Sequence, residues 1–407
     1  MIYLVNHLKH FDGRCTPILQ NFMDNNGNNK FPTNISITNF QNKLITNIRL
    51  TDYAYIPVGS SDIVYFIQSS YDSNQTTSCN IIFDDKNRSV VYETNGDTNF
   101  NLNSVSFKGL EDIRLVTWNN ILYGIGFRPD IIFGHVIPQL IEYNDDLSIK
   151  HSWVINTNKV MEKNWQPIED MPFNFMYDSD TSKIISLDIK NLSMADDNNH
   201  PSIINEIDAP EFSSNLCGSS QIIKYGNGYL SICHTSHRWL ATDGKIHWFY
   251  NHYLVKYDNN LNKIWVSKPF RFVDNCLEFC CGLTTINNGI YIGFSMYDGL
   301  VHILSYSMDG FNRLIEQLEN NSEDLNGDPP ISYLYECYKK SQSADSIGEI
   351  VYLFALEQAH MLDNTNRILE VLKKFNFSKR VLKGILLYFI TRRSDTQPLL
   401  KKLNDLC

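Results

Sequence analysis

Leu283-Thr284-Thr285-Ile286-Asn287-Asn288-Gly289-Ile290-Tyr291-Ile292-Gly293-Phe294 reads as an apolar strand, a short turn and a second apolar strand. Asn-Gly and Gly-Asn pairs supply the positive φ that two-residue hairpin turns require. Gln221–Cys233 reads the same way around Gly226-Asn227-Gly228. Three further hairpins rest on alternation: Asn34–Arg49 with a turn near Gln41-Asn42, Arg114–Phe127 around Asn119-Asn120, and Phe173–Leu187 around Asp178–Thr181. Five hairpins recurring at intervals of roughly 45 to 80 residues predict an all-β, five-bladed β-propeller over residues 1–325, because radial repetition limits exposed sheet edges. A β-sandwich is the alternative, for which this span is long.

The texture changes after residue 325. Asp328-Pro329-Pro330 breaks the chain as a linker does. Tyr333–Lys340, Ala344–Met361, Asn364–Phe375 and Ser378–Thr391 then carry helical spacing. Residues 326–407 are therefore expected to form a small helical extension without a polar constellation. It would dock a protein partner or mediate oligomerisation.

The composition excludes several functions. A net charge of −10 argues against nucleic acid, whose binding needs Lys and Arg to neutralise phosphates. No stretch reaches the roughly 18 apolar residues of a membrane helix, and Met1–Val5 is too short for a signal-peptide core. The expectation is a soluble, cytoplasmic protein. Its nine cysteines form no disulfide framework, and neither Cys276, Cys280 and Cys281 nor Cys233-His234 has zinc-ligand spacing. No metal or other cofactor is expected, and no P-loop, dinucleotide fingerprint or nucleophile elbow is present.

Four clusters beside the expected strands carry candidate chemistry. In Gly109-Leu110-Glu111-Asp112-Ile113-Arg114, adjacent carboxylates on an extended backbone point to opposite faces, so only one of them should face a central site. Asp112 is either a general acid or base, or a structural carboxylate paired with Arg114. Glu162-Lys163-Asn164-Trp165-Gln166-Pro167 suits a sugar or anion site, although Trp165 equally suits a core. The third cluster runs from Gly218-Ser219-Ser220-Gln221 through Cys233-His234 and His237 to His247, Tyr250 and His252, a local excess of histidine that points to acid–base or anion chemistry. The fourth joins Glu278–Leu283 to Phe294-Ser295-Met296-Tyr297-Asp298-Gly299, where Asp298 is an edge-of-sheet carboxylate or a turn residue.

In order, these clusters resemble the β-mannoside phosphorylases and hydrolases of glycoside hydrolase family 130 and the related mannosyltransferase/phosphorylases. Asn34-Ile35-Ser36-Ile37 resembles the family's N-P-S-I opening, and Asn47–Tyr53 its v-x-R-x-x-N-Y strand, with Asp52 in place of Asn. Gly109–Arg114 resembles G-x-E-D-P-R with Ile113 for Pro, and Glu162–Pro167 resembles E-K-N-W-x-P. Cys217–Gln221 resembles R-G-G-S-Q with Cys217 and Ser219 as departures. His234, Tyr250-Asn251-His252 and Tyr297-Asp298 resemble the remaining site positions, so that eight motifs fall in order between residues 30 and 306.

The resemblance implies that Asp112 donates the proton to the glycosidic oxygen and that Asn34, Arg49 and Asp298 hold the sugar. It implies that Lys163 and His234 flank the nucleophile, with His252 as a further candidate. Asp52, Glu111, Arg114, Asn164 and Tyr250 complete the expected substrate-binding set. The substrate would be an oligosaccharide, a sugar phosphate or a nucleotide sugar. Phe173–Asp178, where the phosphorylases carry a phosphate-clamping Arg, contains none, which weakens the case for phosphorolysis. A non-catalytic glycan-binding or scaffold propeller is the alternative.

Overall fold

The computed structural model describes residues 2–18, 22–23, 29–51, 53–58, 63–68, 77–83, 91–94, 110–130, 135–155, 163–177, 183–188, 202–208, 216–240, 246–273, 277–296, 300–320, 401–402 and 405. The four expected tail helices, Asp52, Glu162, Asp178–Thr181 and Tyr297–Gly299 lie outside these residues.

Each expected hairpin forms the heart of a separate antiparallel sheet. The first sheet contains Asn29–Phe40, Lys43–Thr51, Thr77–Phe83 and Val91–Thr94, with Phe22–Met23 added at its edge. The second is Glu111–Trp118, Ile121–Asp130, His135–Tyr143 and Ile149–Val154, and the third is Gln166–Pro167, Asn174–Met176, Lys183–Asp188 and Ser202–Asp208. In the fourth, Cys217–Gly218 and Ile223–Tyr225 both pair with Gly228–Leu240, followed by Ile246–Tyr257 and Lys263–Val266. The fifth sheet takes Glu278–Ile286, Gly289–Met296 and Leu300–Ser307 from one end of the described core and Gly13–Pro17 from the other. A separate ribbon, Tyr53–Val58 with Ile63–Gln68, is inserted within the first sheet's sequence.

The turns explain the hairpins. Phe40 pairs with Lys43, Trp118 with Ile121 and Ile286 with Gly289, so Gln41-Asn42, Asn119-Asn120 and Asn287-Asn288 are two-residue loops. All six of these loop residues have φ between +48° and +62°, a region that Asn tolerates better than most side chains.

Apolar cores lie between successive sheets. Phe40 and Ile45 of the first pack with Ile113, Leu115 and Leu122 of the second. Trp118 and Phe127 meet Trp165 and Phe175 between the second and third, and Ile168 and Met176 meet Ile222 and Val255 between the third and fourth. Ile35 and Ile48 meet Val301 and Ile303 between the fifth and first. Side chains also stitch the sheets' leading strands together. The Gln221 amide donates to Ile37 O at 2.5 Å and accepts from Leu283 N at 3.1 Å, linking the fourth, first and fifth sheets. Trp118 Nε1 donates to Ile168 O at 2.7 Å. Gly282 permits a close approach of the fifth sheet to the first, since a Cβ there would lie 2.5 Å from the Ile37 nitrogen.

Residues to about 325 were expected to be β, but Met308–Glu319 form an α-helix. Ser307 caps it by accepting from Gly310 N at 3.0 Å, while Phe311, Leu314, Ile315 and Leu318 bury one face, so a capped amphipathic turn overrides strand continuation. Among the described residues no helix is long and apolar enough to cross a membrane.

Candidate functional site

The site lies where the leading strands meet, and breaks in strand register build it. Between Thr33 and Ser36 the first sheet shifts register, and Asn34 adopts φ +44°. Between Glu111 and Arg114 the second does the same, with Asp112 at φ +52°. Such bulges re-aim a side chain out of the strand's alternation. The expectation that Glu111 and Asp112 face opposite ways is therefore corrected, because both carboxylates reach one cation. Arg49 Nη2 lies 2.7 Å from Glu111 Oε1, and its Nη1 lies 3.4 Å from Asp112 Oδ1. Lys163 approaches the other oxygen of Glu111 at 3.4 Å.

Asn34 Nδ2 donates to Asp112 Oδ1 at 2.5 Å. Its amide orientation is fixed because Oδ1 accepts from Thr33 Oγ1 at 3.0 Å and Ser295 Oγ at 3.1 Å. Asp112 Oδ2 accepts no hydrogen bond among the described residues. Burial raises the Asp112 pKa, but Arg49, then Lys163 and Arg114, and the Asn34 amide outweigh it and hold the carboxyl below its ordinary range. In this state Asp112 is a carboxylate at neutral pH.

Arg114 does not pair with the Asp112 carboxylate, which corrects the structural reading of that residue. It is fully buried, and its guanidinium donates to Ser219 O at 2.7 Å, Gly218 O at 3.2 Å, Asp112 O at 3.2 Å and Asn164 Oδ1 at 2.9 Å. It acts as a brace under the site, clamping the second, third and fourth sheets. Asn164, at φ +65°, is held by it, and Trp165 is a core residue with no exposed surface.

In the fourth sheet the amides of Ser219 and Ser220 both donate to Ile232 O at 3.1 Å, another local irregularity. It sets Ser219 Oγ 2.7 Å from Nδ1 of His234. The His234 ring stands edge-on to Tyr250 at 5.0 Å and to Phe279 at 5.1 Å. Burial first, then Arg114, lower its pKa to about 3 against the opposing pull of Asp112, so the imidazole is neutral. His252 pairs with His234 across the strands but is fully buried beside Phe270 and Phe272, and neither ring nitrogen has a hydrogen-bond partner among the described residues. Burial, and then the Arg271 charge, keep it uncharged. Its position is behind the site. Glu278 is also buried and accepts from Phe272 N and Val273 N at 2.7 Å each.

The structure thus brings Asn34, Arg49, Glu111, Asp112 and Lys163 together, with His234 and Tyr250 on the adjoining sheet; Asp52 and Asp298 are outside the described residues. Sequence reasoning missed the roles of Thr33 and Ser295 as holders of the Asn34 amide, and of Ser219 as the partner of His234. Among the described residues no group of three or more His, Cys, Asp or Glu side chains gathers at metal-binding distance.

No protein-family model and no curated protein matches the chain. In fold, the chain is similar to solved glycoside hydrolase family 130 structures and other glycosidases. A β-1,2-mannobiose phosphorylase from Listeria innocua aligns over 75% of this chain and 99% of its own, at 12% identity and a TM-score of 0.48. A glycosyl hydrolase from Bacteroides ovatus aligns over 72% and 90%, at 12% identity and 0.45. A mannose phosphorylase from Leishmania mexicana, solved with a phosphate ion, aligns over 69% and 85%, at 11% identity and 0.39. At that distance the likeness concerns the chain trace alone.

Proposed function

We propose that the chain is a five-bladed β-propeller whose central site makes, exchanges or cleaves a glycosidic bond of mannose or a similar hexose, with Asp112 as the acid–base group. Five antiparallel sheets of four or more strands, with apolar cores between four of the successive pairs and their leading strands drawn together, support the propeller. The observation that carries the function is a buried carboxylate with one oxygen held by Asn34 and Arg49 and the other accepting no hydrogen bond among the described residues. An ionised Asp112 accepts a proton from the attacking hydroxyl of an acceptor. In the cleavage direction the protonated acid returns that proton to the glycosidic oxygen. Asn34 and Arg49 orient the sugar hydroxyls. Lys163, only partly engaged by Glu111, and neutral His234 flank the incoming acceptor or nucleophile.

The test is a turnover screen of wild type and Asp112→Asn. It combines manno-oligosaccharides with phosphate, mannose 1-phosphate and GDP-mannose, read by product mass. Wild-type turnover should fall by about 10²–10⁴-fold in Asp112→Asn, the usual contribution of a positioned acid or base. Turnover indifferent to the substitution overturns the assignment. Glycan binding with no turnover on any donor supports a binding module instead.

A further inference from the structure

The Ser219–His234 contact is buried and isolated. Ser219 is 0% exposed, and its hydroxyl lies within hydrogen-bond distance of one group among the described residues, Nδ1 of His234 at 2.7 Å. Two arrangements are open to this pair. If Nδ1–H donated to the serine, the serine's own hydrogen would be buried without an acceptor, which is costly. If the serine donates, both groups are satisfied. Nδ1 is then the acceptor, and the single ring proton sits on Nε2.

We infer that Ser219 is a positioning residue that donates to Nδ1 of His234 and holds the imidazole in the Nε2–H tautomer, presenting a fixed hydrogen-bond donor to a ligand oxygen. The rest of the ring's surroundings agree. Tyr250 and Phe279 pin its plane edge-on, and Nε2 makes no protein hydrogen bond among the described residues. Burial and Arg114 keep the ring from taking a second proton, so the donor is an uncharged N–H. A sugar hydroxyl and a phosphate oxygen share the acceptor chemistry it would meet. The donor's part in binding rests on the proposed glycosyl chemistry, whereas the tautomer does not.

Long-range ¹H–¹⁵N spectra of the full chain labelled at histidine decide it, with His234→Gln identifying the resonances. Wild type at neutral pH should show an unprotonated Nδ1 and a protonated Nε2. Ser219→Ala should lose that preference, and Ser219→Thr, which keeps the hydroxyl, should restore it. Mannose and inorganic phosphate, added separately, should reveal which of them moves the Nε2 resonance. An Nδ1–H or imidazolium pattern in wild type overturns the inference, as does an unchanged pattern in folded Ser219→Ala. An Nε2 resonance that neither ligand moves overturns its role as ligand donor. The tautomer spectra need no substrate, so a failed turnover screen leaves them decisive.

Discussion

Arg49 is the group on which the charge state of the site turns, and Arg49→Met tests it. The pair with Asp112 spans 3.4 Å, with the side chains only 8% and 12% exposed. At an effective dielectric of about 20, that separation corresponds to roughly 5 kcal/mol of attraction. Removing one partner of a buried pair costs about 3–5 kcal/mol, because the other charge is left uncompensated. Wild-type Asp112 has a depressed pKa, so its stabilising contribution is present above the unfolded value of about 3.9 and is lost as pH falls through the folded value. In Arg49→Met burial remains the largest influence and its strongest opponent is gone, so the carboxyl should titrate above its usual range. The sign then reverses, and folding is favoured as the pH falls through that raised value. Urea unfolding of wild type, Arg49→Met and Arg49→Met/Asp112→Asn from pH 4 to 8 reads both effects. Asp112→Asn should recover about 1–3 kcal/mol in the Arg49→Met background by removing the stranded charge. A loss below about 1 kcal/mol, as for an exposed pair, would refute the reasoning. So would a double variant less stable than Arg49→Met.

Gly282→Ala places a Cβ 2.5 Å from the Ile37 nitrogen, a backbone atom that cannot swing aside. The first and fifth sheets must part, at about 1–3 kcal/mol, lowering Tm by about 2–4 °C per kcal/mol in a scanning-calorimetry trace. Glu278→Gln preserves shape but turns one acceptor into a donor facing a backbone N–H, at about 1.5–3 kcal/mol. Hydrogen exchange should quicken at Phe272 and Val273 while the amides of Ile121–Asp130 are unchanged.

The hairpins are legible in the sequence because their determinants are local. Gln41-Asn42, Asn119-Asn120 and Asn287-Asn288 sit between alternating apolar runs, and Asn tolerates the backbone that the turns need. The helix Met308–Glu319 is harder to read, since Gly310 in its first turn is a poor helix former. Its reason is distant: a Cβ at Gly310 would run into the Phe11 carbonyl. In the site, residue types are readable but directions are not. Alternation separates Glu111 from Asp112, and only the register shift before Arg114 unites them on Arg49. The Ser219–His234 contact likewise depends on the pairing of Gly218 with Cys233, which no local pattern specifies.

The recurrence of these irregularities on the leading strands has a geometric cause. In a regular strand, side chains alternate between the two faces of the sheet, and here both faces are packed against neighbouring sheets. The side chains of a regular leading strand are therefore directed mainly into those packed faces rather than toward the place where the strands converge. An inserted residue escapes the alternation and turns its side chain toward the neighbouring leading strands. The first and second sheets use this device at Asn34 and Asp112, each in a left-handed conformation that costs about 1–3 kcal/mol and persists only where its surroundings enforce it. Asn and Asp are the side chains that bear this conformation most readily, and these two hold each other through the Asn34–Asp112 hydrogen bond. Ser295 and Thr33 hold the asparagine from behind, and Arg49 holds the aspartate. The contacts that offset the backbone strain are therefore the same ones that orient the amide and keep the carboxylate ionised. A substitution that relaxes either bulge should disturb the site's charge state along with its shape.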